Sequence, residues 1–598
     1  MARKSVQPPS PSWMRDLVIY EIAPKAFTSP AGPESGTFAS LQSRLPYLQD
    51  LGITGIWLAG YSLSDAHHFF NIWMSYATIE PDKIDPSLGT PGQFKALVAE
   101  AHRRGIKIFL DVTTHGVMLS SPIVKRHPEW FRGGTCGMID YDWEGGHTDL
   151  DDWWVQIWTD YVTIYGVDGF RLDWQIFRPD LWERVRQNAA AARHPIMIFE
   201  EGNSVIPGVT DFTERENEIS NAGTGELNPV LASDIPGFFD RKFGKRGDYK
   251  VEIRYVDGSK DEGSTGGKGA LRVHLDGQRA DRASRRIGDY TGCDVCPGGQ
   301  STVEDVAKAD GIPDVQLTVE NVAGRPIENI TVMDDCWGRW ILRGSTAATG
   351  GGRPLTMDGR PPNIQLYVPT LGYSSSIALS IHDIGLGTSY PDRNPFVAQG
   401  SRALFGYSFL FTPMIPLFLS GEEFDASFHP LPNLAPDWFG GKDPGKGRML
   451  YGAMLDWTEL DQPQHRSMFE DVKKMLAIRK QEHAVLSPLL RGNIQPKLMG
   501  VPYESNITVP VPYIRWDRST AILVAANNDK GEDAHLKLQI PLESMGQTRN
   551  VEYKVTDLWN GGETRNFTPS ELGSFACTVK RDGIPSGGLG VFRVEWAH

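Results

Sequence analysis

Residues 165–174 read YGVDGFRLDW, an apolar strand that ends in charge. Glycine and apolar side chains dominate as far as Phe170, and then Arg171 and Asp173 follow two apart. Side chains two apart on a strand share a face, so a cation and a carboxylate project together from the strand's end. The flanking segments set the fold. LDDWWVQIWTDYVTIYG (150–166) precedes the stretch as a Trp-rich amphipathic helix. The helix LWERVRQNAAAARH (181–194) and a second apolar strand, PIMIFEEG (195–202), follow it.

The same alternation runs back toward residue 17. LVIYEI (17–22), ITGIWLAG (53–60) and IKIFLDVTTHG (106–116) read as strands. Between them, FASLQSRLPYLQDLG (38–52) carries Leu41, Leu45, Leu48 and Leu51 at helical spacing and stops at Gly52. TPGQFKALVAEAHRRG (90–105) opens with Thr90 as N-cap, Pro91 in the first turn and Gln93 closing a capping box, and Gly105 ends it. Strands alternating with crossover helices imply a parallel α/β fold. The number of units and their near-continuous apolar strands favour a closed (β/α)8 TIM barrel over an open sheet.

The alternation breaks near residue 249. VEIRYVDGS (251–259), ALRVHLDG (270–277), VQLTVENV (315–322) and NITVMDD (329–335) are short β-like runs among Gly, Asp and Arg. The expected organisation is a first barrel part at 1–248, an inserted β-rich domain at 249–359, the rest of the barrel at 360–486, and a C-terminal β-sandwich domain at 487–598. SIALSIHDIG (376–385) and TPMIPLFLSGEEF (412–424) are the later barrel strands, and FEDVKKMLAIRKQE (469–482) is the last long helix.

With 598 residues, 40% of them hydrophobic, the chain has ample material for a large core, and its net charge of −14 argues against a nucleic-acid partner. No apolar run is long enough to cross a bilayer, so no membrane partner is expected. MARKSVQPPSPSWMRD at the start has no apolar stretch behind its basic residues, and a cytoplasmic protein is expected. Five cysteines make no disulfide framework. Cys293 and Cys296 form one CxxC without a second pair or nearby histidines, which reads as a loop staple or two thiols rather than zinc.

Strand ends line the active face of such a barrel. Here they carry Asp111 and His115, Arg171 and Asp173, Glu200 and Glu201, His382 and Asp383, and Glu422 and Glu423. A lone acid at a strand end is ordinarily a solvated terminus or a structural ion pair. A ring of them repels itself and needs a reason to persist. Clustered carboxylates could ligate a metal, or could hydrolyse glycosides, one acid attacking the anomeric carbon and another protonating the leaving oxygen. Arg171 would keep Asp173 ionised, while a carboxyl crowded by anions, such as Glu200, would hold its proton longer.

LDVTTHG, GFRLDW, IMIFEEG and LSIHD, in that order, resemble the four signature segments of the α-amylase family, glycoside hydrolase family thirteen. VIYEIAPKAF, LGITGIWL, KIDPSLGT and MIPLFLSGEEF extend the resemblance over residues 13–482 outside the insert. It implies Asp173 as catalytic nucleophile, Glu200 as general acid/base and Asp383 as transition-state stabiliser. Asp111, His115, Arg171, Trp174 and His382 would bind substrate. The implied reaction retains the α configuration, acting on malto-oligosaccharides or related α-glucans by hydrolysis or transfer.

Several places depart from the family. Phe199 stands where a small residue usually precedes the acid, which leaves Glu201 as a rival to Glu200. His115 comes one place early and the usual Asn is missing; that Asn is commonly a calcium ligand, so no cofactor is expected and a structural calcium is in doubt. Ile176 and Phe177 replace a Lys-His pair. HHFFNIWMSY (67–76) replaces a Gly-Tyr-Asp, with Phe70, Asn71 or Trp73 as possible sugar-stacking residues. Trp153, Trp154 and Trp158 fit the core, and Trp143 fits it less. Three other readings stay open: a small-substrate α-glucosidase acting on a disaccharide, a catalytically silent barrel that binds glycan or protein, and a metal-dependent hydrolase.

Overall fold

The computed structural model describes residues 10–32, 35–65, 75–134, 138–173, 178–201, 209–213, 249–279, 289–290, 301–302, 314–334, 339–343, 358–369, 376–378, 401–426, 428–430, 453–488, 498–547 and 552–596. Eight strands form one sheet: β1 (Ile19–Ile22), β2 (Gly55–Leu58), β3 (Lys107–Thr113), β4 (Gly169–Asp173), β5 (Met197–Glu200), β6 (Phe212–Thr213), β7 (Ser376–Ala378) and β8 (Ile415–Leu419). Their order is β6-β5-β4-β3-β2-β1-β8-β7, and every pairing is parallel. Strands 1 to 6 lie in sequence order and β1 sits beside β8, which is the cyclic order of a TIM-like catalytic domain.

Helices α1 (Phe38–Leu51), α2 (Pro91–Arg103), α3 (Thr148–Asp160), α4 (Pro179–Ala191) and α5 (Pro463–Gln481) cover this sheet. The capping box of Thr90 and Gln93 forms as expected, and α1 has a second one between Thr37 and Ser40. Leu41, Leu45, Leu48 and Leu51 are all buried. Gly169 is required where β4 meets β5: at φ 155° a Cβ there would lie 1.7 Å from the Met197 carbonyl oxygen.

Residues 249–369 contribute two antiparallel sheets. One pairs Tyr249–Tyr255 with Lys260–Ser264 and Ile327–Asp334, and the other pairs Asp314–Glu320 with Arg272–Arg279 and Asn363–Pro369. The C-terminal residues form a six-stranded and a three-stranded antiparallel sheet around their own apolar core. The buried Arg515 joins that unit to the segments flanking the catalytic sheet, and the buried Arg479 of α5 lies near it. Arg479 donates to the Leu410 and Met414 carbonyls, and Arg515 to those of Phe411, Leu486 and Ser487. Burial depresses both guanidinium groups, to about 9 and about 10.

The strands alternate. Phe170 of β4 points outward, against Trp158 of α3 and Trp182 of α4. Trp154 joins that aromatic layer, and so does Trp143, which is buried against Tyr141 and Trp154. Trp143 therefore belongs with the core group. Inside the sheet, Phe199 meets Trp57 and Phe109 edge-on and stacks on Phe212, which forms the floor under the strand ends.

Glu423 does not belong to the ring of strand-end acids. It accepts hydrogen bonds from Tyr20 (2.9 Å), from Tyr47 of α1 and from the Gly421 N–H (2.9 Å). Tyr20 packs on Phe27 and Phe418, and Tyr47 belongs to the helical layer, so Glu423 lies between sheet and helices. Its three donors favour the charged form, but burial outweighs them and pushes the carboxyl up to about 7. A raised carboxyl adds stability that is full below the unfolded value of 4.5 and is lost as pH rises through about 7. The span corresponds to about 3 kcal/mol. Urea midpoints measured from pH 4.5 to 8 should therefore fall less steeply in Glu423→Gln than in the wild type. Parallel profiles would mean that Glu423 titrates normally. Asp168 acts with the opposite sign at lower pH. His102 and Lys107 contact it at 2.7 and 3.0 Å and hold its carboxyl far below the usual range, so its contribution is lost only in strong acid.

Candidate active site

The ends of β3, β4 and β5 converge on one guanidinium. Arg171 is fully buried, and its Nη1 lies 2.6 Å from Asp173 Oδ1 and 3.2 Å from Asp111 Oδ1. Its Nη2 lies 3.2 Å from Glu201 Oε2. The guanidinium also sits 5.0 Å from the centroid of the Trp57 ring, a cation–π contact that holds it from below. One planar cation thus organises three carboxylates from three adjacent strands, a task that suits the fork of arginine better than the point charge of lysine.

Strand register explains the grouping. Asp111 pairs with Arg171 and Thr113 with Asp173. On the other side Arg171 pairs with Phe199 and Leu172 with Glu200. Paired residues in a parallel sheet face the same way, so Glu200 shares the outward face of Leu172, whereas Glu201 follows Phe199 onto the inner face. The side chains agree: Glu201 is 13% exposed and touches Arg171, while Glu200 is 4% exposed. Glu201 is the partner of Asp173 in this ring.

Asp111 is only 1% exposed. Its Oδ2 accepts from Trp57 Nε1 at 2.9 Å and from the Tyr76 hydroxyl. Its two oxygens are thus engaged by protein groups, and it orients Arg171. Tyr76 was not singled out from the sequence, although it closes the segment HHFFNIWMSY whose earlier aromatic residues were. Its hydroxyl also lies 3.4 Å from Arg171 Nη1. Its signal was position: it is the last aromatic residue before the strand Thr78–Ile84 that leads into KIDPSLGT.

His115 is buried and its Nδ1 lies 3.0 Å from Asp140 Oδ1, on the neighbouring strand Met138–Asp140. That strand's continuation holds the end of β3, since Tyr141 N–H donates to the His115 carbonyl (2.7 Å) and Trp143 Nε1 to the Thr114 carbonyl (3.2 Å). Thr114 in turn donates its hydroxyl to the Asp173 carbonyl at 2.9 Å. The nucleophile candidate is therefore fixed at its side chain by Arg171 and at its backbone by Thr114. Asp173 remains 17% exposed, the access a reacting carboxylate needs.

His382, Asp383, Trp174, Ile176 and Phe177 lie outside the described residues, as do Phe70, Asn71, Trp73 and the Cys293–Cys296 pair. Glu422 is buried and accepts from the Leu419 N–H at 3.0 Å. Among the described residues, His127, Glu129 and Asp149 bring possible metal-ligand atoms within 4.8 Å of one another on the surface. They share no residue with the Arg171 ring. No helix among the described residues is long and apolar enough to cross a membrane.

The family description "Alpha amylase, catalytic domain" matches residues 21–117, from β1 to the end of β3. The chain is 33% identical over 127 residues to a probable alpha-glucosidase of Rhizobium meliloti, covering 21% of each. It is 24% identical over 218 residues to an intracellular maltogenic amylase of Bacillus subtilis, covering 28% of this chain and 36% of that one. Neopullulanase 2 of Thermoactinomyces vulgaris is 35% identical over 122 residues, covering 17% and 20%. The matches thus span between a fifth and about a third of these relatives' lengths. Among solved structures, an alpha-amylase from Geobacillus thermoleovorans complexed with acarbose superposes with a TM-score of 0.52 at 14% identity, over 97% of this chain and 99% of that one. An alpha-amylase from Lactobacillus plantarum gives 0.50 at 16%, over 98% and 100%. Both likenesses concern the fold.

Proposed function

Because the chain belongs to the α-amylase family, we propose that it is a retaining enzyme that cleaves or transfers α-glucosidic bonds of malto-oligosaccharides or related α-glucans. The observation that carries this reading is the single Arg171 guanidinium bridging Asp173 and Glu201. Two carboxyl groups gathered on one cation suit double displacement, which needs them about 5–5.5 Å apart, better than the wider gap an inverting enzyme leaves for water. Asp173 attacks the anomeric carbon as Glu201 gives its proton to the departing glycosidic oxygen. That C–O bond breaks and a β-linked glycosyl-enzyme forms. Water or a sugar hydroxyl then attacks the anomeric carbon, Glu201 takes up its proton, and Asp173 leaves, which restores the α configuration. Asp383 as stabiliser and His382 and Trp174 as sugar contacts complete the proposal. The family resemblance of their segments supports them.

The same reading takes 1–248 and 360–486 as a closed (β/α)8 barrel, with a β-domain inserted at 249–359 and a β-sandwich at 487–598. The position of β1 beside β8 supports the closure. The name of the intracellular maltogenic amylase supports a cytoplasmic setting. Ile176 and Phe177, with the probable alpha-glucosidase among the relatives, favour a second reading in which a short α-glucoside is the substrate. Proton NMR of the protein with maltoheptaose and with maltose separates the two. New α-anomeric signals from maltoheptaose support the first reading, and signals from maltose alone support the second. Initial β-anomeric product would overturn both.

A further inference from the structure

The residue that opens α4, five places after Asp173, breaks three local rules at once. Arg178 has φ 52° and ψ 63°, the left-handed region that long side chains rarely occupy. It stands at a helix N-terminus without making a side-chain cap, where Ser, Thr, Asp or Asn is the usual choice. It also brings a cation to the positive end of the helix dipole. Such concentrated conflict is expected where a function maintains it.

The guanidinium is gripped on two sides. Nη1 and Nη2 lie 2.6 Å from the two oxygens of Asp151, in the first turn of α3. Nε and Nη2 lie 2.9 and 2.8 Å from the two oxygens of Asp180. Four charge-assisted hydrogen bonds from one planar group fix position and orientation together. Helix α3 is a firm anchor, because Trp154 and Trp158 pack it against Trp182 of α4 and Trp158 against Phe170 of β4.

We propose that Arg178 is a positioning residue for the nucleophile. Its double fork fixes the start of α4, five residues beyond Asp173, while Arg171 and Thr114 hold the strand side. The carboxylate is thereby kept in line with the anomeric carbon at each turnover. This rests on the reading of Asp173 as nucleophile.

Arg178→Gly tests it cleanly, since glycine tolerates the left-handed backbone and removes only the forks. The expected result is a thermal midpoint close to wild type, a kcat lowered about ten- to a hundredfold and a KM nearly unchanged. Hydrogen exchange should quicken in the peptide spanning residues 173–178. Arg178→Lys should recover little, because an ammonium cannot reach four oxygens as a fork does. Asp151→Asn should lose part of kcat, and adding it to Arg178→Gly should cost no more. Unchanged exchange, or quickened exchange with wild-type kcat, overturns the inference. So does a fall in activity that only tracks the fraction unfolded. A wild type silent on every α-glucoside removes the functional reading itself, whereas unchanged exchange in an active wild type removes Arg178 alone.

Discussion

Asp173→Asn should lower turnover of maltoheptaose by on the order of 10^4-fold or more, because it removes the covalent half of the mechanism. The change is nearly isosteric, and the Asn oxygen can still accept from Arg171, which keeps Asp111 and Glu201 as further partners. The fold should therefore survive, and so should substrate affinity. An unchanged circular-dichroism spectrum and thermal midpoint, with binding of maltoheptaose still measurable by calorimetry, would locate the loss in chemistry. A variant that keeps more than about 1% of wild-type kcat would exclude Asp173 as nucleophile. The second check is chemical. An amide cannot form the glycosyl ester, so a substrate carrying a good leaving group should label the wild type at the peptide containing Asp173 and leave the variant unlabelled.

What the sequence disclosed depended on where polarity broke the apolar pattern. In β4, GFRLD alternates visibly, so the shared inner face of Arg171 and Asp173 was legible before any coordinates. In β5, MIFE is apolar up to its last residue, as strands of a parallel sheet with both faces covered commonly are. Nothing in that run marks which residues face inward. The inner face became apparent only through the pairing of Arg171 with Phe199, and one residue separates the outward Glu200 from the inward Glu201. Glu423 was hidden for a related reason. It follows the end of β8, where the strand's alternation no longer predicts direction, and its tyrosine partners are about 400 positions away in the chain. Trp143 fitted the core less well by sequence, yet it is buried and its indole N–H is spent on the Thr114 carbonyl. The capping box of Thr90 and Gln93 and the leucine stripe of α1, by contrast, are local properties and were read directly.

Glu201→Gln against Glu200→Gln is the comparison with the most to decide. Glu201 lies on the Arg171 guanidinium together with Asp173 and Asp111. A proton donor must reach the glycosidic oxygen, and the inner face of β5 is the side from which it can. Glu201→Gln should therefore lower kcat on maltoheptaose by about 10^2- to 10^4-fold, the usual worth of general acid–base catalysis. Glu200→Gln should stay within about tenfold of wild type, as a buried change behind the site that touches catalysis only through packing. The size of the loss alone cannot separate a missing proton from a disturbed strand, so the leaving group is varied. An α-glucosyl fluoride departs without protonation, and Glu201→Gln should form the glycosyl-enzyme from it almost as fast as wild type. The intermediate then waits for a nucleophile that needs no base. Azide fits, and because Asp173 occupies the β face the product should be the α-glucosyl azide. A strand distorted by the substitution would be rescued by neither change. If Glu200→Gln were the variant rescued by fluoride and azide, the outward-facing carboxylate would have to turn inward during turnover, and the register seen here would describe a resting state of the acid.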